Sequence, residues 1–174
     1  MNPLKIAIIG PESTGKTTLI KKLAHYYKVP FVLEYARDYM NQLDRPYVYD
    51  DLLTIAKTQY SSFEQANKSA TSIIFSDSSL ITIEIWSRDK FNKCDTWISE
   101  QIMKEGFDVY LLCGIDIPWQ YDVQREDSNR RLEIFNLHLK YLTQYNFNYH
   151  IISGLEESRL KNAIKFLEKH YPIE

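Results

Sequence analysis

Residues 4–18 read LKIAIIGPESTGKTT, and this stretch decides the fold. The run from Lys5 to Gly10 is apolar and rich in β-branched residues, which is typical of a strand buried on both faces. Gly10 to Thr17 then match the phosphate-loop pattern G-x-x-x-x-G-K-[ST] at every defined position. An amphipathic helical pattern begins near Lys16. The motif therefore has the strand, loop and helix context that it requires.

The chemistry of this motif is phosphate binding. Two glycines allow the backbone to fold around phosphate oxygens at the positive end of a helix. Lys16 offers a charge for the β- and γ-phosphates, and Thr17 offers a hydroxyl for Mg²⁺. We therefore predict ATP and Mg²⁺ as cofactors, with ATP bound by Gly10, Pro11, Glu12, Ser13, Thr14, Gly15, Lys16, Thr17 and Thr18.

Composition narrows the class of protein. With 174 residues, of which 44% are hydrophobic and 25% charged, the chain is predicted to form one globular domain over residues 1–174. A net charge of −2 argues against nucleic-acid or membrane partners and favours a small-molecule substrate. No apolar run reaches the roughly 18 residues of a membrane span, so we expect a cytoplasmic protein, and a homo-oligomer stays open.

Four further apolar runs predict strands, and helical patterns separate them. This alternation indicates an α/β fold with three layers, α/β/α, and a mostly parallel sheet. The polar stretch after the fourth run, residues 115–131, is predicted to form a short lid beyond the carboxyl end of its strand. The four runs are Phe31 to Tyr35, Ser72 to Asp77, Val109 to Gly114 and Tyr149 to Gly154.

Two carboxylates end predicted strands. Asp77 closes the third strand, where it either anchors Mg²⁺ together with Thr17 or caps the following helix. Glu34 stands at the end of the second strand, where it either accepts the proton of a hydroxyl being phosphorylated or forms an ion pair with Arg37. Both alternatives stay open for each residue.

The predicted lid is rich in arginine. Arg125 is the best candidate to stabilise the transferring phosphoryl group, whereas Arg130 and Arg131 are expected to flank a helix start and face water. Trp119 and Trp86 either stack on a heterocyclic ring or pack in the core. The four histidines lack a nucleophile partner and are expected to be structural or exposed.

Three classes of phosphate-loop protein compete. Asn92 to Asp95 read NKCD, as in guanine-binding GTPases, but the preceding segment is helix-like and no D-x-x-G occurs. Motor ATPases usually carry glutamate after the strand-ending aspartate, whereas here Ser78 follows Asp77. A small-molecule kinase is the class that the sequence favours.

Longer blocks carry a family resemblance. In order and spacing, the chain resembles the ribosylnicotinamide kinase domain of the bifunctional bacterial NAD-biosynthesis regulator, as a stand-alone domain. The resemblance implies transfer of the ATP γ-phosphate to the 5′-hydroxyl of nicotinamide riboside, yielding nicotinamide mononucleotide. The blocks are GPESTGKTTL, EYARDY (Glu34 to Tyr39), IAKTQ (Ile55 to Gln59), FSDSSLIT (Phe75 to Thr82) and DIPWQYDVQR (Asp116 to Arg125).

The combined prediction is a P-loop kinase with a five-stranded sheet of order 2-3-1-4-5. Family members usually read D-T where this chain has Asp77-Ser78, a change that keeps a hydroxyl. A kinase for another nucleoside or nucleotide, or an ATP-binding switch, stays open. The predicted catalytic residues are Lys16, Glu34 and Arg125, the metal ligands Thr17 and Asp77, and the substrate contacts Glu34, Tyr35, Arg37, Asp77, Trp86, Trp119 and Asp122.

Overall fold

The computed structural model describes residues 2–119 and 129–171, in which one or two helices separate successive strands. None of the helices in these two ranges is long and apolar enough to cross a bilayer. The strands are β1 (Leu4–Ile9), β2 (Phe31–Val32), β3 (Ile73–Asp77), β4 (Val109–Cys113) and β5 (Tyr149–Ile152). The helices are α1 (Lys16–Tyr27), α2 (Tyr35–Asn41), α3 (Tyr49–Ser69), α4 (Leu80–Phe91), α5 (Thr96–Glu105), α6 (Arg131–Gln144) and α7 (Glu156–His170).

The sheet has the predicted order, β2-β3-β1-β4-β5, and every pair of neighbouring strands is parallel. Strand β1 lies at its centre, with Ile8 opposite Asp77 of β3 and Ile9 opposite Leu112 of β4. The connection that leaves β1 runs toward the β2 edge of the sheet, whereas the connection that leaves the neighbouring β4 runs toward the β5 edge. Ligands of open α/β sheets bind at such a switch point. The fold thus places the phosphate loop and Asp77 at the same edge.

Alternate residues of β1 face opposite layers. Ile6 and Ile8 pack in a cluster with residues of α1 and α7, and Ala7 and Ile9 pack in a second cluster with residues of α3 to α6. All four side chains have no exposed surface. A strand covered on both faces explains the continuous apolar run and confirms the three-layer architecture.

The second strand is shorter than predicted. It ends at Val32, and Glu34 becomes the N-cap residue of helix α2, which the apolar pattern did not reveal. Strand β2 pairs only with β3, and the Tyr35 amide donates to Gln59 Oε1 at 2.8 Å rather than to a neighbouring strand. The backbone therefore leaves the sheet before Tyr35 and turns Glu34 into a helix terminus.

Asp51 fixes the segment between α2 and α3. This buried carboxylate accepts two hydrogen bonds from Arg45, at 2.8 and 2.9 Å, and one from the Tyr39 hydroxyl at 2.8 Å. It also accepts the Val48 amide at 2.7 Å and so caps α3. These bonds, Arg45 foremost, hold the pKa of Asp51 well below its usual range.

Asp51→Ala is expected to lower the free energy of unfolding by about 1–2 kcal/mol, the value of a lost helix cap. Urea unfolding measures the change. Asp50→Ala, at the exposed neighbouring position in the same turn, serves as the control and should cost less than about 0.5 kcal/mol. Because the folded-state pKa of Asp51 is lowered, its contribution should be present at neutral pH and lost under acidic conditions. Equal losses in both variants would contradict this role.

Candidate active site

The phosphate loop joins β1 to α1 through strained backbone. Gly10, Ser13 and Gly15 have φ angles of 137°, 56° and 75°, in the left-handed range. A Cβ atom on Gly10 would lie 3.0 Å from the Cys113 carbonyl oxygen of β4, and one on Gly15 would lie 2.9 Å from Ile117 Cδ1. Glycine is therefore required at both positions by backbone angle and by space.

Lys16 lies across the loop that contains it. Its ammonium group donates to the carbonyl oxygens of Gly10 and Pro11, both at 2.9 Å. The Thr14 hydroxyl donates to the same Pro11 oxygen at 2.8 Å. The loop thus holds a positive charge beside the N-terminus of α1, where an anion is already favoured by the helix dipole.

Thr17 and Asp77 form the predicted magnesium pair. Thr17 Oγ1 donates to Asp77 Oδ2 at 2.6 Å, and the second oxygen, Asp77 Oδ1, is buried with no hydrogen-bond partner among the described residues. Burial raises the pKa of Asp77, and the charge of Lys16 opposes the rise. An unsatisfied buried carboxylate oxygen beside a hydroxyl fits a hard divalent cation that keeps several waters. Asp77 and Thr17 are therefore the residues that would hold Mg²⁺.

The alternative role of Asp77, as cap of the following helix, is filled by other residues. Helix α4 begins at Leu80 with Ser79 as its N-cap residue. The Leu80 amide donates to both carboxylate oxygens of the buried Glu105, each at 3.1 Å. Burial raises the pKa of Glu105 to about 8. Asp77 is thus not needed as a cap, and its carboxylate contacts Thr17 of the phosphate loop instead.

Glu34 lies half-buried on the wall of the same cleft. Burial raises the pKa of its carboxyl group, while Lys16 and Arg37 oppose the rise. The Ser78 side chain also opposes the rise. Ser78 has a φ angle of 76°, and its amide donates to the Ile8 carbonyl at 2.9 Å. The residue after Asp77 is therefore held in a strained conformation by its bond to β1.

Gln59 joins the two carboxylate-bearing segments. Its side-chain carbonyl accepts the Tyr35 amide at 2.8 Å, and its side-chain nitrogen donates to the Asp77 carbonyl at 3.4 Å. Gln59 is buried and belongs to the IAKTQ block, to which the sequence alone assigned no role. This contact fixes Glu34, the residue before Tyr35, relative to Asp77.

The phosphate loop and Glu34 line a cleft of about 1040 Å³, and the buried Asp77 is not part of its lining. The cleft extends from the phosphate loop to a wall made by α2, the segment after it, and α4. Among the described residues, Tyr35 and Trp119 do not line it: the Tyr35 ring lies 5.9 Å from that of Tyr39, and the Trp119 ring lies 5.9 Å from the Arg131 guanidinium carbon. Arg125 and Asp122 lie outside the described residues. The cleft brings together the predicted residues Gly10, Pro11, Glu12, Ser13, Thr14, Gly15, Lys16, Thr17, Thr18, Glu34, Arg37 and Trp86.

The lining of the cleft also includes an aromatic ring and a neutral imidazole. Trp86, Thr82 and His138 all line the cleft. His138 is buried, lies 2.9 Å from the Ile134 carbonyl through Nδ1, and faces the Thr82 hydroxyl at 3.4 Å through Nε2. Burial lowers the pKa of His138 to about 4, so the ring is neutral at physiological pH. The bond to Ile134 assigns the proton to Nδ1, which leaves Nε2 as an acceptor.

Two arginines that were expected to face water have other partners. Arg131 donates to the carbonyls of Ser13, at 3.1 Å, and Ile117, at 2.8 Å. Arg130 forms ion pairs with Asp89 and Glu133 and lines the cleft. Both arginines flank the start of α6 as expected, and the Arg130 side chain is 39% exposed. Arg131 departs from the expectation, because sequence spacing does not show that the start of α6 lies beside the phosphate loop.

Comparison with known proteins shows which family the chain resembles. A family model described as AAA domain matches residues 5–159. The trifunctional NAD biosynthesis/regulator protein NadR of Salmonella typhimurium is 25% identical over 173 residues, 94% of this chain and 42% of the relative. The Escherichia coli protein of the same description is 28% identical over 152 residues, 83% of this chain and 37% of the relative. The chain thus spans about two fifths of the length of these relatives, and the resemblance predicted from the sequence is confirmed.

Solved structures agree on the fold. A NadR crystal structure in complex with NR superposes with a TM-score of 0.82 at 22% identity, covering 99% of this chain and 52% of the other. The structure of a NadR protein with NAD and AMP-PNP gives 0.81 at 22% identity, with coverages of 99% and 51%. A deoxyadenosine kinase from M. mycoides gives 0.67 at 16% identity, with coverages of 95% and 99%.

Asp77→Asn is expected to reduce the enhancement of ATP affinity by Mg²⁺ about tenfold, because the amide removes the negative charge that the cation needs. Titration calorimetry with ATP, with and without Mg²⁺, measures this enhancement. Asp50→Asn, on the exposed first turn of α3, is the matched control. If Asp77→Asn keeps the Mg²⁺ dependence of the unaltered protein, Asp77 is not a metal ligand.

Proposed function

This chain belongs to the AAA domain family, and on that premise we propose that it is an ATP-dependent nucleoside kinase that phosphorylates the 5′-hydroxyl of nicotinamide riboside. One observation carries the proposal: Glu34 and Lys16 of the phosphate loop line the same cleft, Asp77 accepts a hydrogen bond from the neighbouring Thr17, and the cleft continues to a wall that contains Trp86. A site for hydrolysis alone has no need of that second wall. A kinase needs it to hold an acceptor.

The phosphate loop would bind the triphosphate. Its amides and the dipole of α1 stabilise phosphate oxygens, and Lys16 would turn from the Gly10 and Pro11 carbonyls to the β- and γ-phosphates. Bound Mg²⁺ would supply charge neutralisation across the β- and γ-phosphates. Arg125, in the predicted lid, remains the residue that we predict to stabilise the transferring phosphoryl group.

Glu34 would act on the acceptor. Its carboxylate accepts the hydroxyl proton as the hydroxyl oxygen attacks the γ-phosphorus, while the bond from that phosphorus to the ADP oxygen breaks. The raised pKa of Glu34 makes it a stronger base than an ordinary glutamate. The products are ADP and the phosphorylated nucleoside, with the proton left on Glu34.

Two lines of evidence favour nicotinamide riboside among nucleosides. The relatives at 25% and 28% identity are described as NAD biosynthesis proteins, and a similar fold was solved with NR. Trp86 offers a flat π face in the acceptor half of the cleft, and such a face attracts the positively charged pyridinium ring. Arg37 lines the cleft and would also contact the acceptor, whereas Tyr35 and Trp119 lie outside its lining and Asp122 stays a predicted contact.

An acceptor screen tests the proposal. ADP formation is measured with MgATP alone, and then with nicotinamide riboside, other nucleosides and nucleoside monophosphates. We expect at least about tenfold stimulation by nicotinamide riboside. Greater stimulation by another nucleoside or by a monophosphate would replace the substrate and keep the kinase. No stimulation by any acceptor, with MgATP bound, would favour the nucleotide-dependent switch.

Lys16→Ala should abolish transfer and leave the fold intact, because the side chain serves the transferring phosphates and is not part of the core. Steady-state turnover and circular dichroism check the two statements. Lys165→Ala, exposed on α7, is the control. Turnover within a factor of about ten of the unaltered enzyme, or ~1.4 kcal/mol, would contradict the role of Lys16.

Glu34→Gln should lower turnover more than it weakens ATP binding. Since burial raises the pKa of Glu34, the enzyme should lose activity on acidification at a pH above the ordinary glutamate range, and this limb should vanish in the variant. The pH profile of kcat measures both effects, with Glu100→Gln on the exposed face of α5 as control. An unchanged acidic limb, or a loss of ATP affinity alone, would show that Glu34 is not the base.

A further inference from the structure

Two arginines from separate helices hold consecutive carbonyls of the phosphate loop. Arg131, the first residue of α6, donates to the Ser13 carbonyl at 3.1 Å. Arg159, in the second turn of α7, donates through its Nη1 to the Thr14 carbonyl at 2.9 Å. Neither residue was singled out for this purpose by the sequence, because both lie more than a hundred positions from the loop.

The direction of these carbonyls determines where the amides point. In a planar trans peptide, the C=O of one residue and the N–H of the next point to opposite sides. A Ser13 carbonyl bound to Arg131 therefore directs the Thr14 amide away from that arginine. A Thr14 carbonyl bound to Arg159 directs the Gly15 amide likewise. These two amides belong to the loop that is proposed to cradle the phosphates.

Arg159 is itself rigidly held. The side chain is only 3% exposed, and it donates to the Gly154 carbonyl at 2.8 Å and to the Gly114 carbonyl at 3.2 Å. It also forms an ion pair with Asp116, which accepts the Gly154 amide through its other oxygen. One guanidinium thus joins the connections that follow β1, β4 and β5. Arginine cannot lose its proton in proteins, so its burial requires these partners.

Arg131 makes a second contact with the connection that follows β4. It donates to the carbonyl of Ile117, whose side chain lies against Gly15. The end of β4 and the first residues of the predicted lid are thereby fastened to the phosphate loop, at Gly114 and Asp116 through Arg159 and at Ile117 through Arg131. The strained φ angle of Ser13 is retained between these two ties.

We infer that Arg159 and Arg131 are positioning residues of the phosphate loop, which hold the Ser13 and Thr14 carbonyls outward so that the following amides are preorganised for a triphosphate. The inference rests on the proposed nucleotide site. Neither arginine needs to touch the nucleotide for this role. Their effect reaches the ligand through the loop backbone.

Arg159→Lys and Arg131→Lys test this assignment, because lysine keeps the charge but cannot bridge several carbonyls. Binding is measured with two fluorescent N-methylanthraniloyl ligands, the Mg²⁺ complex of the ATP derivative and the corresponding adenosine without phosphates. Each variant should bind the triphosphate at least about tenfold more weakly, with adenosine binding changed less than about twofold. Lys161→Ala, exposed on α7, should change neither.

Circular dichroism and thermal unfolding establish that each variant is folded, and Arg131→Lys alone decides if Arg159→Lys does not fold. Folded variants with triphosphate affinity within about twofold of the unaltered protein would overturn the inference. So would an equal loss for both ligands, which a general structural role predicts. Failure of the unaltered protein to bind the triphosphate would overturn the proposed function and the inference together.

Discussion

The structure depends on one constraint: the backbone after β1 must turn its carbonyls toward the protein and its amides toward an anion within a few residues. Left-handed φ angles at Gly10, Ser13 and Gly15 make this turn sterically possible. Carbonyl bonds from Lys16, Arg131 and Arg159 hold it in place. The central position of β1 then brings neighbouring strands, and with them Asp77, to the same edge of the sheet.

The two carboxylates owe their properties to the elements that end beside the loop. Asp77 stays in β3, where burial and the Thr17 hydroxyl prepare it for a cation. Glu34 has left β2 and begins α2, where burial raises its pKa while Ser78 and nearby cations moderate the rise. Gln59 fixes the two segments to each other. In the proposed mechanism, metal binding by Asp77 and proton acceptance by Glu34 therefore fall to two carboxylates in different environments.

Much of this arrangement could be predicted because it depends on local patterns in the sequence. Continuous apolar runs predicted the strands, and the glycine spacing predicted the loop. Three features were out of reach. Helix α2 was missed because the apolar run through Tyr35 looks like one longer strand. In the structure the strand ends at Val32, and the Tyr35 amide bonds to the distant Gln59 side chain. The roles of Arg131 and Arg159 depend on tertiary contacts across 118 and 145 positions. His138 is buried and lines the cleft, and its isolated position in the sequence reveals neither fact.

The central claim is that this loop presents a γ-phosphate to an alcohol, and phosphorus nuclear magnetic resonance tests it most directly. The unaltered protein is incubated with MgATP and a set of nucleosides that includes nicotinamide riboside, and the fate of the γ-phosphorus is followed. The account predicts one new phosphomonoester signal for each ADP formed. Conversion to inorganic phosphate alone, or an unchanged ATP spectrum, would contradict it.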